Sequence, residues 1–143
     1  MASPIKPLYY YWFTIVDPIL AVIAILSSLF DPASLLLSLT PRATLPRPEV
    51  SILLAALAGA YACLLVLHWF VLRPRPNDVA LWKSVQAGQA LFEAAKLAGV
   101  CWAISIGEGV STQVWINIGI TASLIVFRIG FLLDMGNGKA KSI

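Results

Sequence analysis

Charge is scarce in this chain. Ten Lys or Arg and seven Asp or Glu among 143 residues make 12%, where a soluble domain carries about 25%. One histidine and two cysteines complete the short supply of metal-binding and nucleophilic groups. There is no CxxC and no Cys/His cluster, so the sequence calls for no metal. Cys63 and Cys101 sit in apolar runs and read as small core residues rather than redox groups. P-loop, GxSxG, HExxH and dinucleotide-binding fingerprints are all missing, which disfavours nucleotide, serine-hydrolase and zinc chemistry. No cofactor is implied. No Lys/Arg run interleaves with aromatics, so nucleic acid is not expected as a partner.

What is abundant is oil. Hydrophobic residues make up 59% of the chain, and mean hydropathy is +0.85. A bilayer crossing needs roughly 20 apolar residues. Four runs meet that length, at about Leu8–Phe30, Glu49–Leu72, Val79–Ile106 and Ser111–Leu133. The expected fold is all-α, an integral membrane four-helix bundle forming one domain over residues 1–143. The first run opens with Tyr9, Tyr10, Tyr11 and Trp12 and holds Asp17, so it reads as a retained helix and not a cleaved signal. Pro18 predicts a kink near Asp17. Prolines 32, 41, 46 and 48 break the next segment, which leaves room only for a short turn around Leu35–Leu39 resting on the membrane surface. The second run is rich in Ala and Gly from Ala55 to Ala62, which permits close helix contact. Membrane lipid and further copies in a homo-oligomer are among the expected partners.

Basic residues set the topology. Lys6, Arg73, Arg75, Lys83, Lys139 and Lys141 share one side of a four-span arrangement, and only Arg42 and Arg47 share the other. The bias places both termini in the cytoplasm. An endoplasmic reticulum or other endomembrane is the expected location. Glu108 falls in the last loop and reads as solvated.

Charges inside the runs carry the functional signal. An ionisable group at bilayer depth costs about 2.5–3.5 kcal/mol on insertion scales and is usually retained for a task. Gln86, Gln89, Glu93 and Lys96, spaced three, four and three, share one face of the third run. Tyr10, Thr14 and Asp17 share a face of the first, Tyr61 and His68 of the second, and Asn117, Thr121 and Arg128 of the fourth. At roughly 1.5 Å per residue from the cytoplasmic edge, His68, Arg128 and Asp17 fall near ~7, ~9 and ~13 Å, Glu93 and Tyr61 near ~20 Å, and Lys96 and Asn117 near ~25 Å. These stripes must face protein or a water-filled cavity. One outcome is purely structural: Glu93 with Lys96 and Asp17 with Arg128 form ion pairs that fix helix register. The other is chemical. Two carboxyls in different settings can divide the roles of proton donor and base. Such a pair opens an epoxide or isomerises an alkene in a lipophilic substrate. Asp17 and Glu93 are then the catalytic candidates. Arg128 and Lys96 tune them, while Tyr61, His68, Gln89 and Asn117 orient substrate or water. A non-catalytic binding or accessory protein and a small oligomeric transporter are the rival classes.

The order of features resembles a family of small fungal four-span membrane proteins. The resemblance rests on Pro7-Leu8-Tyr9-Tyr10-Tyr11-Trp12-Phe13 followed by Asp17-Pro18 and Asp31-Pro32. It continues through Leu57 to Tyr61, Leu72-Arg73, Trp82, and Trp115, Asn117, Gly119, Arg128 and Phe131. Some members are similar to membrane-bound epoxide hydrolases of fungal polyene-pyrone pathways, of the aurovertin and citreoviridin type. The resemblance implies hydration or cyclisation of a reactive polyketide epoxide in secondary metabolism. Where the family often has Asp-x-x-His in the third helix, this chain has Glu93-Ala94-Ala95-Lys96. A titrating imidazole is thereby exchanged for a standing cation.

The topology is testable in sealed microsomes. Lys139→Cys should react with a membrane-impermeant maleimide added from the cytoplasmic side. Arg42→Cys should react only after permeabilisation, and the opposite pattern would invert the assignment.

Overall fold

A computed structural model describes residues 5–41, 48–107 and 109–135. Arg42, Arg47, Glu108, Lys139 and Lys141, and with them the loop and tail readings, lie outside the described residues. The described residues are helical, with no strand among them. Helix α1 runs over Pro7–Phe30, α2 over Pro32–Leu39, α3 over Pro48–Leu72, α4 over Val79–Ser105 and α5 over Thr112–Leu132. Helices α1, α3 and α5 are each long and apolar enough to cross a membrane. Helix α4 has 27 residues, but its polar stripe keeps it out of that class.

Local chemistry sets the helix ends. Asp31 caps α2 by accepting from the Ser34 amide at 3.2 Å, and Pro32 takes the first helical position. Asp78 caps α4 through the Leu81 amide at 3.0 Å, and Ser111 caps α5 through the Val114 amide at 3.3 Å. Gly107, at φ +92°, takes the left-handed turn that follows α4.

The expected distortion at Pro18 takes the form of a widened π-helical stretch over Trp12–Val16. Proline has no amide proton, and its ring crowds the carbonyl one turn back. A wider turn relieves the crowding, and the Asp17 amide donates to Trp12 O instead. A second π-helical stretch, over Leu67–Leu72, lies ahead of Pro74 and contains His68. There the Arg73 amide donates to His68 O at 3.0 Å. The two widened segments touch one another.

Helix α1 packs along α3, and α4 packs along α5. The pairs are joined at one end by an aromatic plug of Tyr9, Phe13, Trp82 and Phe131, filled in by Ile5 and Leu72. Tyr9 and Phe13 meet the edge of Phe131 at centroid distances of 5.3 and 5.4 Å. The polar tips in the plug are satisfied. Trp82 Nε1 donates to Arg75 O at 2.9 Å, and Tyr9 Oη donates to Met135 O at 2.9 Å. Glycine at 130 allows the latter, because a Cβ there would lie 3.2 Å from the tyrosine oxygen. Within the aromatic opening Tyr9 is therefore interior and Tyr10 and Trp12 are half-buried, while Tyr11 points outward. Helix α2, a full eight-residue helix where a short turn was expected, packs against α5 and the end of α1, and its Leu35 and Leu39 face the interior.

Polarity is inverted relative to a soluble protein. Ile19, Phe30, Ile52, Phe70, Leu91, Trp102 and Val126 are exposed, while Asp17, His68, Gln89, Glu93 and Arg128 are buried. This arrangement suits membrane association, since lipid accepts apolar side chains and offers no hydrogen bonds. It also corrects the reading of the cysteines. Cys63 and Cys101 are both exposed on outer helix faces, because apolar residues here have an apolar solvent to face.

The plug yields a stability prediction. Trp82→Ala should cost about 3–5 kcal/mol, the usual toll for emptying a buried aromatic site. Trp82→Phe should cost less. Denaturant titration in detergent micelles would measure both.

Candidate functional site

The inward stripes of the four long helices meet in two clusters. The first joins all four. From α1, Asp17 Oδ2 accepts from Arg128 Nη2 of α5 at 2.9 Å. From α4, Gln89 Oε1 accepts from Arg128 Nη2 at 3.1 Å and Nε at 3.3 Å. From α3, His68 Nε2 lies 3.3 Å from Gln89 Nε2. Arg128 Nη1 also donates to Leu124 O at 3.3 Å.

This geometry fixes the chemistry of the histidine. The Gln89 oxygen faces a guanidinium, so its NH₂ faces His68. His68 Nε2 must then be the acceptor, and Nδ1 carries the proton and donates to Leu64 O at 2.9 Å. The imidazole is neutral with both nitrogens engaged. Asp17 Oδ2, 3.9 Å from Nε2, is its neighbour and not its ion-pair partner. His68 is thus a satisfied buried histidine that positions Gln89.

The second cluster lies between α3 and α4. Lys96 Nζ sits 2.7 Å from Glu93 Oε2, the i,i+3 pair that the spacing allows. The contact is close enough for an ion pair, but Glu93 Oε2 has no aligned hydrogen bond among the described residues. Lys96 also donates to Tyr61 Oη at 3.4 Å, and the Tyr61 ring meets Phe92 edge-on at 5.5 Å. Both expected ion pairs are present. The two clusters also separate as the depth estimate divides them, with Asp17, His68 and Arg128 together and Glu93, Tyr61 and Lys96 together.

Both clusters line one cavity of about 220 Å³. Leu20, Ala21, Leu57, Leu64 and Leu124 supply apolar wall, and Leu35 and Leu39 of α2 face it from one end. Asn117 lines it and donates to Ser38 O at 3.2 Å, which fastens α2 to α5. All eight candidate site residues, Asp17, Glu93, Arg128, Lys96, Tyr61, His68, Gln89 and Asn117, border this space, while Tyr10, Thr14, Gln86 and Thr121 of the same stripes do not. Two orphaned groups stand out. Asp17 Oδ1 is buried with no partner among the described residues. Gln86, one turn before Gln89, is fully buried with neither amide atom satisfied among them. Among the described residues no cluster of His, Cys, Asp or Glu could hold a metal ion.

The sequence did not mark α2 as a cavity wall or Ser38 as the anchor for Asn117. A Leu-rich octet between prolines was the available signal.

Comparison with known families decides one question. A domain family of unknown function, DUF7704, matches residues 2–138. The chain belongs to that family. No curated protein and no solved structure matches it.

The saturated first cluster makes Gln89 its hinge. Gln89→Leu would strip partners from both Arg128 and His68, at a cost of about 1–3 kcal/mol for the buried groups left unpaired. Thermal unfolding in micelles should show the loss. Gln89→Glu, which keeps an acceptor for Arg128, should be milder.

Proposed function

We propose that the chain is a four-span integral membrane protein with both termini cytoplasmic, and that its cavity opens epoxides in a lipophilic polyketide without a cofactor. The observation that carries this reading is the pair of buried carboxylates, from different helices and with different partners, that border one cavity with apolar walls. The fourth crossing is α4. Its length, about 40 Å at 1.5 Å per residue, suffices. Its polar stripe is turned into the bundle, while Leu91 and Trp102 face outward.

The division of labour follows from the contacts. Arg128, itself steadied by Gln89, holds Asp17 through Oδ2 and leaves Oδ1 without a protein partner, to accept a proton from water. That water forms a bond to an oxirane carbon as the ring C–O bond breaks and its electron pair stays on oxygen. The oxygen takes its proton from the Lys96 ammonium, which Glu93 and Tyr61 flank, the product is a diol, and the proton held by Asp17 returns to the amine through water. When an internal hydroxyl of the substrate replaces water, the same steps give a cyclic ether. A polyketide with an epoxide suits the space, because outside the two clusters, Asn117 and Ser27 the walls are apolar.

A second reading is favoured by one observation. Both ion pairs are closed, so they also serve a non-catalytic membrane accessory or binding protein whose charges fix helix register.

Membranes carrying the protein, offered lipophilic polyene epoxides in ¹⁸O-water, separate the two readings. Labelled diol marks hydration, and unlabelled ether marks cyclisation. Asp17→Asn and Glu93→Gln should each lower turnover by about 10²–10⁴-fold, the usual scale of acid/base assistance. Turnover indifferent to both substitutions would remove the acid/base reading, and no turnover by the parent on any epoxide would favour the accessory role.

A further inference from the structure

A second hollow lies on the outside of the bundle, along α1 where it meets the end of α3. Its volume is about 450 Å³. Its floor is apolar, with Ile15 and Ile19 of α1, and its rim is not. Tyr10, Tyr11, Trp69 and Arg73 gather at one end, beside the two widened helix segments. Those segments account for the hollow. Pro18 and the π-helical turn before it displace α1 locally, and the matching turn in α3 delivers Trp69 and Arg73 to the same place.

The chemistry of this groove is that of an amphiphile's host. From Tyr11 to Val22 it follows twelve residues of α1, whose eleven rises span about 16 Å. That is close to half of the ~30 Å hydrocarbon thickness of a bilayer. An acyl chain confined to one leaflet has that reach. Arg73 is exposed, and among the described residues no carboxylate lies within ion-pair distance of it. Arg75 follows two residues later. Tyrosine and tryptophan side chains are at home at the headgroup level. A cation and two phenols above an apolar trough match a phosphate headgroup above a fatty chain.

We propose that this groove binds one anionic glycerophospholipid, with its phosphate on Arg73 and one acyl chain laid along Ile15 and Ile19. The inference rests on the proposed membrane crossing and on the cytoplasmic placement of Arg73, the leaflet where anionic lipids concentrate. It does not rest on the epoxide chemistry. The groove shares only Ile23 with the cavity lining, and a bound lipid would brace α1 at its break.

Trp69 is the natural reporter. The protein is reconstituted into phosphatidylcholine vesicles containing either brominated phosphatidylglycerol or brominated phosphatidylcholine at equal mole fraction, and tryptophan quenching is compared. Stronger quenching by the anionic lipid is expected, and Trp69→Phe should abolish the difference. Arg73→Gln should reduce the preference by about five-fold, the scale of one cation at a charged surface, and Arg73→Lys should restore most of it. Equal quenching by the two lipids would overturn the proposal. So would a preference that survives Arg73→Gln, which would trace it to diffuse basic charge. Protein that resists quenching by every brominated lipid would instead show that the chain does not insert, which overturns the membrane crossing as well. Epoxide turnover unchanged in Arg73→Gln would leave the cavity reading untouched.

Discussion

The contact between Asp17 and Arg128 organises the interior. The residues lie 111 positions apart, on the first and last helices, and both are almost fully withdrawn from solvent. Neither charge could stand alone at this depth without a heavy desolvation cost. Each needs the other, and the need sets the register of α1 against α5. Gln89 then extends the contact to α4, and His68 extends it to α3. Hydrophobic burial between helices is a weak force where the solvent is itself apolar. Hydrogen-bonded polar groups supply the specificity that an oily core supplies in water.

That network stands between two apolar closures. On one side the aromatic plug seals the bundle. On the other, α2 closes over the cavity and is fastened there by Asn117. The result is a small chamber with polar groups at two levels and greasy walls elsewhere. The outer groove is a separate consequence of the two widened helix turns.

Much of this could be read in the residues. Helix ends fall within one or two positions of the apolar runs, because prolines 32, 48 and 74 and the caps Asp31, Asp78 and Ser111 are local signals. The stripe of Gln86, Gln89, Glu93 and Lys96 pointed inward for the reason that lipid cannot satisfy it. Both ion pairs followed from spacing and depth. The misses share a cause: each depended on which neighbour an apolar surface meets. Cys63 and Cys101 were assigned to a core, but on a helix with an apolar environment an apolar face does not have to turn inward. The α2 octet could lie on lipid or on α5, and only the fold chooses. The widening around His68 leaves no composition signal, since Pro74 stands past the segment it perturbs. Helix α4 shows the converse, a long helix whose inward polar face lowers its hydropathy below that of its companions.

A double-mutant cycle on Asp17 and Arg128, read by unfolding in micelles, tests the organising role of this pair most directly. Arg128→Met alone should cost about 3–5 kcal/mol, because it strands a buried carboxylate. Asp17→Leu alone should be similarly harmful, and the double variant should cost far less than the sum. Two small, additive costs would mean that the helices find their register without this pair, and would contradict its place at the centre of the fold.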